Sequence, residues 1–424
     1  MKLGSYKTRI IESKINELLN TFGAVLIEGV KGSGKTTLAR KYSNSEFLVN
    51  DSSNNFNNKN LAFLSPELAL HGESPRLIDE WQEVPAIWDA VRGKVDEINK
   101  KGQFILTGSA TINKKRYIHS GTGRIPRLKM RPMSLYESLN SDGKVSLLEI
   151  CNNKAQDIFT GEVSLEQIIE LILKGGWPSS TDLNLKQSML ISNQYVKSIL
   201  ESDIFRVDNI KRDNHKMELL LKSLARNEST TVTNTTLKKD IKEKDFDDIS
   251  VDTITDYLNL LNSLYLIENI PPFATKIRSS LKLKQSEKRH FVDPSLPCAL
   301  LNLTKEKLIG DLEYLGFLFE SLVERDLLTY VDAFDGKLYH YQDYRNNEID
   351  VVIELVDGSW CGIEIKLGAN QIDAAANNLV KINEQIIKEG GKPANALCVI
   401  CGLTNAAYKR KDGVYVAPIT SLKP

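Results

Sequence analysis

Residues 29–36 read Gly29-Val30-Lys31-Gly32-Ser33-Gly34-Lys35-Thr36, a string that fits the phosphate-binding pattern G-x-x-x-x-G-K-[ST] with no mismatch. Its flanks narrow the folds open to the chain. Ala24-Val25-Leu26-Ile27 reads as a buried strand and Thr37-Leu38-Ala39-Arg40-Lys41-Tyr42 as a helix, so the glycines turn a strand into a helix. Glycine lets backbone N–H groups face inward around a phosphate chain, and the lysine adds a mobile positive charge for the β and γ oxygens. The final hydroxyl is a ligand for Mg2+, and the positive end of the helix points at the same place. Gly29, Gly32, Ser33, Gly34, Lys35, Thr36 and Thr37 are therefore the candidate nucleotide-binding set, with ATP and Mg2+ as expected cofactors.

Such a site needs a carboxylate for the metal. Leu77-Ile78-Asp79-Glu80 ends a short apolar strand in two acids; Asp79 would hold Mg2+ through water and Glu80 would polarise the attacking water. The next strand, Phe104-Ile105-Leu106-Thr107-Gly108-Ser109, ends in small polar residues, and Thr107 is a candidate contact for the γ-phosphate or the lytic water. From 111 to 134 there are seven Lys or Arg residues and no acid. A run of this kind is usually a solvated face. Beside an ATP site it is also a source for the arginine that neutralises transition-state charge, and Arg124 after Gly121-Thr122-Gly123 is the candidate, in cis or from a neighbouring copy in a homo-oligomer.

At 424 residues the chain is long enough for two or three domains, each with its own core. Basic and acidic residues balance at 55 each, so no global charge announces nucleic acid, and binding to DNA would rest on local patches. No apolar run approaches a membrane span, the N-terminus lacks a signal-peptide core, and five scattered cysteines suit a reducing compartment. A cytoplasmic protein with no membrane contact is expected. Cys398-Val399-Ile400-Cys401 has metal-ligand spacing, but it lies in an apolar run with no second pair and reads as core.

The expected fold class is α/β. Residues 1–132 alternate strands and helices as a P-loop ATPase core, with one legible helix at Ile87, Val91, Val95 and Ile98 and a loop at 51–60. Residues 133–210 read as a helical lid, broken at Gly175-Gly176-Trp177-Pro178 and resuming in a helix from Tyr195. Residues 211–304 read as a winged-helix-like part: helices at Met217–Ala225, Thr235–Ile241 and Val251–Leu266, then a basic stretch of Lys276, Arg278, Lys282, Lys284, Lys288 and Arg289 as the wing. Asp252 and Asp256 on the would-be recognition helix weigh against DNA, so a packing module without nucleic acid is the competing reading.

Residues 305–424 follow another logic. Leu312–Leu328 reads as a helix with Glu320 and Glu324 one turn apart, followed by strands at Leu338–Tyr341, Ile349–Leu355 and Trp360–Leu367. Glu364 and Lys366 share one face of the last strand, while Ile363, Ile365 and Leu367 share the other. Asp350 plus Glu364-x-Lys366 is the pattern of PD-(D/E)xK nucleases, in which two carboxylates hold a metal and the lysine orients water. Register decides whether they meet. A two-residue loop at Asp357-Gly358 puts Asp350 opposite Ile365, on the wrong face, whereas a three-residue loop or a bulge puts it with Glu364 and Lys366. The bland alternative is a set of charges on the wet side of a hairpin.

The P-loop, the run Leu77-Ile78-Asp79-Glu80-Trp81-Gln82-Glu83-Val84-Pro85 and Ile105-Leu106-Thr107-Gly108-Ser109 resemble prokaryotic AAA-type ATPases. So do Pro132-Met133-Ser134-Leu135-Tyr136-Glu137, Gly175-Gly176-Trp177-Pro178 and Tyr195-Val196-Lys197-Ser198-Ile199-Leu200-Glu201-Ser202-Asp203. The resemblance implies an ATPase followed by a helical lid, a winged-helix-like part and a restriction-endonuclease-like C-terminal domain of unknown function. It carries Gly29, Gly34, Lys35, Thr36, Asp79, Glu80 and Thr107 to the ATP site, and Asp350, Glu364 and Lys366 to a nuclease-like signature. Relatives often show Arg-Gln-Val where this chain has Lys31-Gly32-Ser33, a change compatible with phosphate binding. The expectation is an Mg2+-dependent ATP hydrolase; its rival is a nucleotide-gated docking module with negligible turnover and a degenerate nuclease fold.

Overall fold

The computed structural model describes residues 6–52, 57–111, 121–203, 212–243, 249–274, 285–345 and 347–424. The N-terminal part runs α1 (Glu12–Thr21), β1 (Ala24–Glu28), α2 (Lys35–Lys41), β2 (Ser45–Leu48), α3 (Asn57–Leu64), β3 (Arg76–Asp79), α4 (Ala86–Ile98), β4 (Phe104–Gly108) and β5 (Arg127–Lys129). Its strands form one parallel sheet in the order β2-β3-β4-β1-β5. Ala24 to Ile27 are all buried because both faces are covered, which is why β1 reads as an unbroken apolar run. Leu26, Ile78 and Leu106 pack toward Ile87, Val91 and Val95 of α4, while Val25, Ile27, Leu77 and Ile105 pack with Ile15 of α1 and Leu38 of α2. Residues 51–60 are not loop throughout: Asn57 starts α3, whose Ala62 is buried in the same core as α4.

Next come β6 (Val145–Ser146), α5 (Leu147–Cys151), β7 (Ile158–Phe159), α6 (Leu165–Lys174) and α7 (Leu185–Ser198). The stretch from 133 to 163 departs from the expected helical lid. Asn153 and Gly161 take positive φ and interrupt helix, and continuous helix starts only where Ser164 and Gln167 close a capping box. Helices α8 (Asn214–Arg226), α9 (Asn234–Lys242) and α10 (Val251–Ser263) follow, each N-capped by a side chain, from Asp213, Thr233 and Ser250. Met217, Leu220, Leu224, Leu237, Ile241, Ile254, Leu258 and Leu261 form their shared core. The chain then returns antiparallel through the bridges Ile267–Phe291 and Ile270–Lys288. The expected solvent-facing basic wing is not what Lys288 and Arg289 form. Lys288 is buried, and Arg289 donates to the Val232 carbonyl at 2.8 Å and to Asn234 Oδ1 at 2.6 Å. Lys276, Arg278, Lys282 and Lys284 lie outside the described residues.

The remainder is α11 (Ser295–Leu300), α12 (Lys305–Gly310), α13 (Leu312–Asp332), β8 (Lys337–Gln342), β9 (Glu348–Glu354), β10 (Trp360–Lys366), α14 (Ile372–Lys388), β11 (Ala396–Cys401), β12 (Ala406–Lys409), β13 (Tyr415–Pro418) and β14 (Leu422–Lys423). A second sheet has the order β7-β12-β13-β11-β10-β9-β8, antiparallel through β8–β9–β10 and parallel through β10–β11–β13. Leu318, Leu322 and Val323 of α13 cover the face of Val351, Ile363 and Ile365; Ala376, Leu379 and Ile382 of α14 cover the face of Val352, Trp360 and Val399. β7 extends this sheet beside β12 and β6 pairs with β14, so residues 133–163 pack with the C-terminal part. Cys398 and Cys401 belong to opposite faces of β11 and are both buried, so the two thiols do not share a ligand site.

Candidate nucleotide site and C-terminal carboxylate cluster

The P-loop leaves β1 at the carboxyl end of the parallel sheet, where ligands of α/β sheets bind. Gly29, Gly32 and Gly34 have φ of 150°, 81° and 98°, values that L side chains rarely adopt. At Gly29 a side chain would also collide with the Met130 carbonyl, 2.1 Å from an ideal Cβ. Lys35 folds back over the loop, its Nζ donating to the carbonyls of Gly29 and Val30 at 2.9 Å each. Burial pushes this ammonium down to about 8, against the opposite pull of Glu80 and Asp79. Ser33 is fully buried with its hydroxyl unpartnered, and Thr37 is the third residue of α2.

β4 lies between β1 and β3, and that order assembles the polar centre. Thr36 Oγ1 and Thr107 Oγ1 both donate to Asp79 Oδ1 at 2.6 Å, and Glu80 N donates to Thr107 Oγ1 at 3.2 Å. Glu80 sits at φ 56°, an uncommon conformation that turns the chain sharply at the end of β3. Its carboxylate accepts from Ser109 Oγ at 2.8 Å and from Gln82 Nε2. Thr36, Asp79, Glu80 and Thr107 thus meet at one point, from three segments separate in sequence. The donor set fits Mg2+: a hydroxyl and a carboxylate are hard oxygen ligands, and the orphaned Ser33 hydroxyl and folded-back Lys35 are groups a phosphate would satisfy.

Arg124 does not join them. Its carbonyl accepts from Ala24 N, at the start of β1, whereas the P-loop leaves the other end of that strand. Its guanidinium pairs with Asp96 at 3.0 Å, so it does not reach the P-loop of its own chain. The guanidinium that touches the loop is one that no motif announces. Arg9 is 5% exposed and donates to the Ser33 carbonyl at 2.8 Å, the Arg131 carbonyl at 2.8 Å and Glu137 at 3.0 Å. Spent on three acceptors, it positions the loop. Gly32 is roofed by Trp177 and Tyr195, whose rings stack at 4.7 Å, and Trp177 Nε1 donates to Ser295 Oγ at 2.9 Å. Gln82, Ser109, Trp177 and Tyr195 occur in strings quoted for their resemblance, but their roles had no signal in spacing.

In the C-terminal sheet, Trp360 pairs with Glu354 and Ile363 with Val351, a register in which Asp350 stands opposite Glu364. Leu355 N donates to the Ser359 carbonyl at 2.8 Å, so the loop is the three-residue one, Val356-Asp357-Gly358, that puts both acids on one face. Lys366 Nζ lies 3.0 Å from Asp350 Oδ2 and 2.7 Å from Glu364 Oε2. Asp350 also accepts from Ile365 N at 2.7 Å, and Glu364 from Asn378 at 3.1 Å. Burial and the neighbouring Asp350 push Glu364 up to about 8, outweighing Lys366. Glu320 comes from α13 and is linked to the hairpin through Lys288, which ion-pairs with Glu320 and with Glu324 at 2.9 Å. Among the described residues no group of three or more His, Cys, Asp or Glu is arranged to hold a metal ion.

With this geometry in view, residues 21–139 match the family described as AAA domain, residues 165–307 a domain of unknown function (DUF8612), and residues 315–422 a domain of unknown function (DUF4143). No curated protein matches the chain. Among solved structures, a Walker-type ATPase of Pyrococcus abyssi is 13% identical, with 70% of this chain and 99% of that one covered at a TM-score of 0.42. A signal-transduction ATPase with numerous domains and a tetratricopeptide-repeat sensor, from Pyrococcus horikoshii, is 14% identical over 78% of this chain and 49% of that one, at 0.23. Superpositions this loose carry no argument; the family match and the motif geometry do. No helix among the described residues is long and apolar enough to cross a membrane. Residues 21–139, which carry the P-loop, are thus similar to AAA domains.

Proposed function

We propose that the chain is an Mg2+-dependent ATP hydrolase whose turnover is mechanically linked to the helical and C-terminal parts. The observation that carries this reading is the Thr36–Asp79–Thr107 hydrogen-bond chain beside Glu80. Lys35 leaves the Gly29 and Val30 carbonyls to meet the β and γ phosphates, and Ser33 offers its free hydroxyl. Thr36 and Asp79 would hold the metal, which when bound neutralises charge on the bridging phosphates. Glu80, steadied by Ser109 and Gln82, orients and polarises the attacking water, while Thr107 holds Asp79 in place. Water attack at phosphorus needs stabilisation of spreading equatorial charge, and an arginine from a second copy, Arg124 being the candidate, would supply it.

The outlet for the motion lies next to the site. Thr111, just past β4, donates its N–H to the Ser263 carbonyl at 2.7 Å and shares a 2.6 Å hydrogen bond with Tyr265. The three-helix unit is therefore fastened to the strand that carries Thr107. Three helices followed by an antiparallel return support a winged-helix-like reading, and the Asp350, Glu364 and Lys366 hairpin supports a nuclease-like C-terminal fold; DNA is the partner both would suit. We place the protein in the cytoplasm. A second reading has its own support: Lys366 bridges both hairpin carboxylates, as expected of a degenerate nuclease fold used for docking. Steady-state phosphate release with Mg2+ and ATP, with and without DNA, separates the two. Repeated turnover supports the hydrolase; bound nucleotide with no release supports the nucleotide-gated docking module.

A further inference from the structure

Four carboxyl groups lie near the start of β9 in two pairs, Glu320 with Glu324 on α13 and Asp350 with Glu364 on the β9–β10 hairpin. Two cations answer them. Lys366 bridges Asp350 and Glu364, and Lys288 bridges Glu320 and Glu324. Lys288 belongs to neither the hairpin nor α13. It arrives from the antiparallel return after the three-helix unit, where its backbone pairs with Ile270 in both directions, at 2.9 and 2.8 Å. Its side chain is 1% exposed and its Nζ lies 3.4 Å from the Asp350 carbonyl. The next residue but one, His290, puts Nε2 3.1 Å from the far oxygen of Glu324. Burial and Lys288 hold that imidazole well below its ordinary range, so it adds no charge.

A divalent cation would need these oxygens free. The donor set fits Mg2+ in element type but not in arrangement, because an ammonium already stands between the α13 carboxylates and the hairpin. We infer that Lys288 is a tethered cation that takes the place of a divalent ion between the α13 carboxylates and the Asp350 end of the hairpin, so that the middle part of the chain holds this site metal-free. This rests on the nuclease-like reading of the hairpin and is independent of ATP hydrolysis. A buried charge that leaves its partners cannot leave them bare, so withdrawal of the Lys288 segment would open an oxygen-lined cation site, and its return would close it. The arrangement is an autoinhibitory contact made by one side chain.

The test is calorimetric titration of the nucleotide-free full-length protein with Mn2+, beside thermal melts. Wild type and Asp350→Asn should give the same isotherm, since the site is filled by Lys288. Lys288→Met keeps the length and removes the charge; it should melt below wild type and gain an Mn2+ site that binds at least roughly tenfold more tightly than any in wild type. That gain, with the melting temperature restored by Mn2+, should vanish in Lys288→Met/Asp350→Asn. A folded Lys288→Met that gains nothing overturns the inference. A wild-type site lost in Asp350→Asn overturns it while leaving the nuclease-like reading intact. Gain of a site that survives Asp350→Asn overturns both, because the metal then does not sit on the hairpin. Should Lys288→Met fail to fold, Lys288→Gln takes its place with the same readings: a gained Mn2+ site that Asp350→Asn removes supports Lys288 as the filler, and no gain overturns it.

Discussion

Lys35 is held in a strained electrostatic position. Its ammonium is buried and donates to two carbonyls of its own loop, and burial outweighs the attraction of Glu80 and Asp79. Its folded value, about 8, lies below the ordinary 10.5, so between these pH values the unfolded chain binds more protons than the folded one. The sign follows: the cost of burying this charge is full below about pH 8 and falls away as pH rises toward 10.5. Phosphates reverse the balance, since they favour the charged form. Binding of ATP should therefore take up about one proton at pH 9 and little at pH 7. Calorimetry at pH 9 in two buffers of different ionisation enthalpy measures this directly; equal heats in both would contradict it. Thr107→Val tests the neighbouring hydroxyl. It removes one of the two donors to Asp79 Oδ1 and leaves the Glu80 N–H without its acceptor, so kcat should fall by about tenfold or more with ATP affinity nearly unchanged.

At the scale of elements, the Gly175-Gly176-Trp177-Pro178 break ties the lid to the ATPase part. Met133 N donates to the Gly176 carbonyl at 2.6 Å, and an ideal Cβ on Gly176 would stand 2.1 Å from the Met133 carbonyl. Backbone cannot yield there as a side chain would, so Gly176→Ala should destabilise by about 1–3 kcal/mol, read as a lowered melting temperature. The same break seats Trp177 on Gly32, so nucleotide binding should change tryptophan emission, and Trp177→Phe should abolish that change while ATP still binds. Elements were legible wherever a local rule fixes them. The glycine turn between an apolar strand and a helix, the stripe of Ile87, Val91 and Val95, and the hairpin register alternatives at Asp357-Gly358 all follow from period and turn chemistry. The stretch from 133 to 163 misread as helix because its fate is set by distant strands: β12 and β14 recruit it, and nothing local reveals them. Lys288 misread as wing for the same reason, since its partners on α13 lie more than thirty residues away. Arg9 carried no signal at all.

Across the molecule, ion pairs join parts that are distant in sequence. Arg131, just past β5, pairs with Glu268 at 2.7 Å and with Asp332 at the end of α13, and donates to the Leu328 carbonyl at 3.2 Å. Its own carbonyl accepts from Arg9, which also holds the P-loop. One residue thus touches the loop's support, the three-helix unit's exit and the helix that carries Glu320 and Glu324. Removing the guanidinium leaves Glu268 buried without its main partner, so Arg131→Met should cost about 3 kcal/mol in a urea melt. Glu80→Gln tests ATP turnover by the P-loop domain most directly, with ATP binding and phosphate release measured on one preparation. The exchange keeps the shape of the side chain and removes its charge. ATP should bind within about threefold of wild type while release falls by roughly 100-fold or more. Wild-type release from Glu80→Gln would contradict the assignment of the site.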